Sequence, residues 1–389
     1  MKNLKLSMIA ALAVGVCSVS NADSLQDALT NGKVSGEVTA TYETRDMNKD
    51  NGAYYRDSGY SVGSFALKYE TGTWNNLSLT SKFRAYTTIF EDDKNSTTSY
   101  GKGDASERFR EKNGKSRSVD IEELFLTYTP TSNVTVKAGR QFISSHWVNK
   151  TQDALKVDAS FGDTSLEAIW SLRHGRIYSR DYRPMTKFNG NEGMYQLALS
   201  HKFNDSISAT VYDAMYPDVR DIIGGKVNLK LDKVSLGAHY AVSKEDVNTV
   251  EDSSFLHVTA STSIAGFSPY AGYVKVDDDA AFPGYAAENS GETNVPFEEG
   301  DYFYSKGAET IYLGVSKSFG DLSATLLYGM TEYLDGANKK QDMDETTLWL
   351  GYPVNKNLKA NLGYTIVNET DAAAHGDYNQ LNATLTYSF

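Results

Sequence analysis

Four arginines, Arg173, Arg176, Arg180 and Arg183, crowd into the stretch RHGRIYSRDYRP. They are a third of the twelve arginines in a 389-residue chain whose formal net charge is -12, and none follows Arg220. A guanidinium stays charged at any physiological pH and presents a planar fork that grips carboxylate or phosphate through two bonds. Spaced three, four and three residues apart, such a row forms a ladder able to pass an anion from one site to the next. Candidate rungs elsewhere are Arg140, Lys226 and Lys230. Candidate counter-charges lie between 104 and 123: Asp104, Glu107, Glu111, Asp120, Glu122 and Glu123. Facing the ladder across a gap, they would set up a transverse field that orients dipolar solutes.

Other chemistry has less support. Asp277, Asp278 and Asp279 offer oxygen ligands for a calcium ion, but without an ordered ligand spacing. The histidines, His146, His174, His201, His239, His257 and His375, are scattered, and no G-x-S-x-G elbow, HExxH pair or Gly-rich phosphate cradle accompanies them. The one cysteine, Cys17, lies in a segment expected to be removed, which leaves no thiol for a disulfide, a metal site or a nucleophile. The acidic balance argues against nucleic acid as a partner, because phosphate neutralisation needs a broad basic face.

These side chains must be held by strands. Residues 1–22 read as a secretory signal: Lys2 and Lys5, an apolar run from Leu6 to Val16, then Ser20-Asn21-Ala22. From residue 33 onward the pattern alternates with period two, so successive side chains point to opposite faces. Ile207, Ala209 and Val211 oppose Ser208, Thr210 and Tyr212; Val227, Leu229 and Leu231 oppose Lys226, Asn228 and Lys230. Eight short turns built on Gly, Asn, Asp and Pro alternate with nine longer polar loops. Eighteen strands of roughly ten residues follow, sixteen being the alternative count, each long enough to cross a bilayer when tilted.

Short turns on one side and long loops on the other are the pattern of a transmembrane antiparallel β-barrel, a single domain over 23–389. Lipid offers no partner to a sheet edge, so such a sheet must close. Tyrosines near strand ends, among them Tyr42, Tyr128, Tyr195, Tyr328 and Tyr387, suit the interfacial girdles. The last strand alternates through Leu381, Ala383, Leu385 and Tyr387 to a terminal Phe389, and is similar to the C-terminal strand that the barrel-assembly machinery reads. Residues 23–32 predict a short periplasmic segment with one or two helical turns, capped by Asp23 or Ser24 and ended at Gly32.

Phase then assigns faces. Leu166, Ala168, Trp170 and Leu172 share the lipid face, which points Arg173 into the lumen with Ser171. Arg140 shares parity with Val134, Val136 and Ala138 and is expected toward lipid, near the rim, at a subunit contact or after a bulge. A charge at mid-bilayer there costs ~2 to 4 kcal/mol. The competing placement for the whole ladder is the outer rim, paired with Asp181 or bridging to anionic lipopolysaccharide.

Three stretches, SLQDALTNGKVSGEV, VKAGRQ and RHGRIYSRDYRPMTKFNG, together with the terminal YSF, resemble the OprD-like porins of campylobacter-related bacteria, including the major outer-membrane porin type. The resemblance implies a homotrimeric, roughly eighteen-stranded channel, narrowed by inward loops, that passes ions and small hydrophilic solutes without catalysis. The short 143–151 loop leaves open which loop makes the constriction. The acidity of the chain gathers cations at the mouth while the ladder favours anions at the narrow point; the first effect tips the reading toward cations. An outer-membrane protease or phospholipase, or a plugged adhesin barrel, are the alternatives.

Overall fold

In a computed structural model of the chain, residues 22–48, 55–98, 100–110, 118–246, 249–284, 290–369 and 376–389 are described. Residues 1–21 of the expected signal, which runs to Ala22, lie outside them, as do Glu111 and His375. Eighteen antiparallel strands form the wall of a closed barrel. Closure joins the first strand, Lys33–Met47, to the last, Tyr378–Ser388, with Val38 opposite Tyr387. Phe389 completes the seam: its N–H donates to Gly36 O at 3.0 Å, and the Gly36 N–H returns a bond at 2.9 Å. Every wall strand is thereby paired on both sides, as a hydrocarbon environment demands.

The alternation read from the sequence holds along most of the wall. Val211, Val227, Leu231 and Tyr240 are exposed on the outer face, whereas Tyr212 and His239 are buried within. At the short-turn end, the helix Leu25–Thr30 starts on Ser24, whose Oγ accepts the Asp27 N–H at 3.1 Å, and stops at Asn31 rather than Gly32. The Gly72 N–H donates to Ala28 O at 2.9 Å, so the helix is tied to the neighbouring turn. Only Ala28 is buried; Leu25 and Leu29 remain exposed.

At the other end, several expected loops are mostly strand. Val134–Ser145 and Val148–Phe161 leave only His146 and Trp147 between them, and Thr164–Tyr178 and Asp181–Lys187 leave only Ser179 and Arg180. Continuing the ladder satisfies backbone N–H and C=O groups that an irregular loop would have to satisfy otherwise. Asp181–Lys187 is a nineteenth strand of the sheet, paired with Thr164–Tyr178 outside the eighteen-strand circuit.

Both hairpins turn inward. The tip residue Trp147 is completely buried among Tyr212, His239, Phe255, Phe282 and Tyr304, side chains of the opposite wall and of the 277–307 loop. Its indole N–H donates to Tyr212 Oη at 3.0 Å and its backbone N–H to Gln196 Oε1 at 3.2 Å. The short 143–151 segment therefore crosses the lumen by being rigid and anchored, without needing length.

Candidate functional site: a charged constriction

The arginine stretch is the second inward hairpin. On one face Ile177 and Tyr182 pack into an apolar cluster with Tyr60, Val62, Tyr86 and Ala105 of the facing wall and the 92–118 loop. On the other, Arg176 and Arg183 stand directly opposite each other across the two strands. Like charges in that position repel. Asp181 offsets them, with Oδ2 at 2.8 Å from Arg176 Nη1 and Oδ1 at 3.6 Å from Arg183 Nε.

A second basic contribution comes from the loop segment docked beside this hairpin. Tyr182 N–H donates to Arg108 O at 2.9 Å and Arg110 N–H to Tyr182 O at 2.8 Å. Arg108 then reaches Glu43 at 3.2 Å and Glu299 at 3.0 Å. Burial works to lower the Arg108 pKa, but Glu43 and Glu299 outweigh it and hold the guanidinium well above its ordinary value. Arg180, at the hairpin tip, reaches Glu298 at 3.2 Å and Glu43 at 4.0 Å.

The acidic arm is the 277–307 loop. Glu292 receives Lys150 at 2.7 Å as well as Arg176. Glu298 and Glu299 are presented by a backbone turn that Glu345, a buried wall residue, holds by accepting the N–H groups of Glu298 at 2.8 Å and Gly300 at 3.0 Å. Trp349 Nε1 donates to Glu298 and Gln380 Nε2 to Glu299, at 3.2 and 2.6 Å. Basic and acidic arms thus meet inside the barrel, on a cavity of about 2540 Å³ lined by Arg108, Lys150, Arg176, Arg180, Arg183, Glu292, Glu298 and Glu299.

The candidate residues distribute unevenly around this site. Arg176, Arg180, Arg183, Lys226 and Lys230 line the cavity, with Lys226 Nζ at 3.3 Å from Asn294 Oδ1. Arg173 does not. A register shift between Asp153 and Ala154 leaves Leu172 as an extra residue, so Ser171 faces Ala154 while Arg173 faces Asp153, on the opposite side of the sheet. That bulge reverses the phase on which a lumenal Arg173 was expected. Arg140 also stays on the outer parity, bonded to Asp153 Oδ1 at 2.7 Å and Oδ2 at 3.2 Å. Its Nη1 donates to Ile121 O at 3.1 Å, just past the point where the ladder between Val119–Thr131 and Val134–Ser145 ends at Leu124 and Arg140. As a ladder rung Arg140 is misplaced; it closes a fork in the wall.

The acidic expectations shift as well. Glu122 and Glu123 line the cavity but pair along their own wall, Glu122 with Lys82 and Arg84 at 2.8 Å each and Glu123 with Lys68 at 3.8 Å. Asp104 is consumed in holding its loop, accepting the Gly59 and Asp93 N–H groups at 3.1 Å and Ser96 Oγ at 2.9 Å. Glu107 pairs with Arg45 at 2.8 Å, and Asp120 accepts Tyr182 Oη at 3.0 Å. The carboxylates that do oppose the arginines, Glu43, Glu292, Glu298 and Glu299, were missed. Strand parity shared with Thr39 and Thr41 was available for Glu43; for the loop residues no local signal existed.

The aspartate run does not fit calcium. Asp278 pairs with Lys275 at 2.9 Å, and Asp277 accepts Ser254 Oγ at 3.3 Å and the Asp279 N–H at 2.9 Å. Among the described residues no group of three or more acidic, histidine or cysteine side chains is placed to hold a metal ion. The described histidines serve packing and hydrogen bonding: His146 stacks on Tyr212, His239 and His257 reach Tyr212 and Tyr312, His174 meets Thr186 and His201 meets Thr164.

Residues 1–166 match the family described as Campylobacter major outer membrane protein. No curated protein matches the sequence. Among solved structures, Pseudomonas aeruginosa OpdO is similar with a TM-score of 0.74 at 15% identity, covering 94% of this chain and 98% of that one. Acinetobacter baumannii OccAB4 has a TM-score of 0.72 at 12% identity, covering 92% and 98%. Pseudomonas aeruginosa OpdK, solved with vanillate, has a TM-score of 0.71 at 14% identity, covering 92% and 99%. At these identities the structural likeness speaks for the fold, the same closed barrel. The chain is an outer-membrane porin barrel whose first 166 residues match the family described as Campylobacter major outer membrane protein.

Proposed function

We propose that this barrel is a passive, non-catalytic diffusion channel whose constriction sorts small hydrophilic solutes by charge and orients dipolar ones. The observation that carries the reading is the charged ring inside the barrel, where Arg108, Arg176 and Arg180 pair with Glu43, Glu292, Glu298 and Glu299 beside the cavity. Fixed charges of opposite sign on facing walls act on a solute only in the few ångströms where it must shed water, so they discriminate there with little effect elsewhere. Lys and Arg outnumber Asp and Glu among the described residues lining the cavity, fourteen to ten, although the whole chain is acidic.

The same reading has the chain exported by the signal in residues 1–22, assembled through the strand ending at Phe389, and working as a homotrimer. Reconstitution in a planar bilayer tests it. Stepwise conductance, in groups of three, is the expected result; a folded barrel that stays silent, or that cleaves peptide or phospholipid, would overturn the channel.

A further inference from the structure

The bulge at Leu172 places a cation where the barrel pattern calls for an apolar residue. Arg173 is 45% exposed and lies opposite Asp153 on one side and Lys187 on the other. Arg140 shares Asp153 from the next strand. Three cations, Arg140, Arg173 and Lys187, therefore lie around Asp153 on the outer face of the sheet, with a second carboxylate, Asp120, 3.4 Å from Arg140. Asp153 is divided between two arginines, at 2.7 Å from Arg140 and 3.8 Å from Arg173, so it neutralises neither in full. Lys187 Nζ donates to a neutral partner, Asn191 Oδ1.

The height of this patch narrows what it faces. Thr164–Tyr178 rises from the turn at 162–163, and a strand tilted by about 40° climbs roughly 2.5 Å per residue. Arg173 then stands about 23 Å above the strand's start, at the top of an apolar band about 25 Å tall. Three residues below it, the exposed Trp170 donates its indole N–H to Glu192 O at 3.1 Å, the behaviour of an aromatic at an interface. A cation at this height costs little, unlike one at mid-bilayer. The corresponding level of another wall differs in sign: Glu309, Glu332, Asp342 and Asp344 stand at the upper ends of neighbouring strands with Lys275 and Lys340.

We infer that Arg140, Arg173 and Lys187 form a docking site for the phosphate of a phosphorylated glycolipid in the outer leaflet, a lipid A headgroup. This rests on the outer-membrane location and not on the channel's selectivity. Guanidinium forks suit phosphate oxygens, and Lys187 adds a mobile ammonium. The acyl chains would lie against Leu155, Trp170 and Tyr195, which are exposed directly below.

The test uses the full barrel in detergent micelles, titrated with bis-phosphorylated lipid A and with its dephosphorylated form, and read by native mass spectrometry. Arg173→Glu combined with Lys187→Glu should weaken lipid A binding at least tenfold, with barrel migration on unheated gels and single-channel conductance unchanged. Arg173→Lys with Lys187→Arg should retain binding. Dephosphorylated lipid A should bind the wild type no better than it binds the charge-reversed variant. Equal lipid A binding by wild type and the charge-reversed variant overturns the proposal, as does equal binding of the two lipid forms. So does a change of oligomer mass with lipid binding intact, which would assign the patch to a contact between copies. None of these outcomes depends on whether the lumen conducts.

Discussion

Glu345, on the wall, accepts the backbone N–H of Gly300, in the loop, at 3.0 Å. With the Glu298 N–H at 2.8 Å on its other oxygen, this carboxylate holds the acidic arm in the lumen from behind, without itself meeting the cavity. Bonds to a charged acceptor each contribute about 1.5 to 3 kcal/mol. Glu345→Ala should therefore lower the thermal stability of the barrel by several kcal/mol, and it should increase open-channel current noise as Glu298 and Glu299 lose their fixed place. Noise identical to wild type would show that the loop is held by other contacts.

Arg180 and Arg176 separate selectivity from stability. Arg180 is a third exposed at the hairpin tip, and its replacement leaves Glu298 still bonded to Trp349. Arg180→Glu should fold normally and move the zero-current potential in a salt gradient toward cation preference. Arg176 is buried between Asp181 and Glu292, so Arg176→Ala leaves Asp181 to Arg183 at 3.6 Å and Glu292 to Lys150 at 2.7 Å with a buried positive charge removed between them, and should cost about 3 kcal/mol. Unfolding in urea and reversal potentials, measured on both variants, check the split.

The same potential tests the bulge. Arg173→Glu should leave it at the wild-type value, because Arg173 stands on the face opposite Ser171 and the lumen. A shift as large as that of Arg180→Glu would return Arg173 to the pore.

Glu298→Gln together with Glu299→Gln is the converse experiment. It should move the potential toward anions, since Arg108 and Arg180 would then face the lumen with less opposition. An unchanged potential would mean that these carboxylates do not border the ion path.

Trp147 anchors the first inward hairpin by filling an aromatic pocket, and truncating a buried residue of this size costs about 3 to 5 kcal/mol. Trp147→Ala should enlarge the single-channel conductance as Lys150 and its partner Glu292 loosen, and the conductance step measures it directly.

The sequence by itself determined the barrel. Alternation is a local property, and Val227 against Lys226 states which way each faces wherever the ladder is regular. The terminal pattern through Tyr387 to Phe389 likewise declared the closing strand, which the seam to Gly36 completes. It also marked Arg173, Arg176, Arg180 and Arg183 as one ladder, of which the last three line the cavity. What parity cannot carry is a register shift: a single unpaired residue, Leu172, reverses every assignment beyond it, and nothing in the residue types around it announces the change. Nor could spacing find the counter-charges, since Arg176 and Glu292 lie 116 residues apart and meet only because two hairpins turn inward and a loop is held by Glu345. Tertiary structure alone decided which charges face one another, because an ion pair depends on distances in space that closing the barrel and docking its inward elements create.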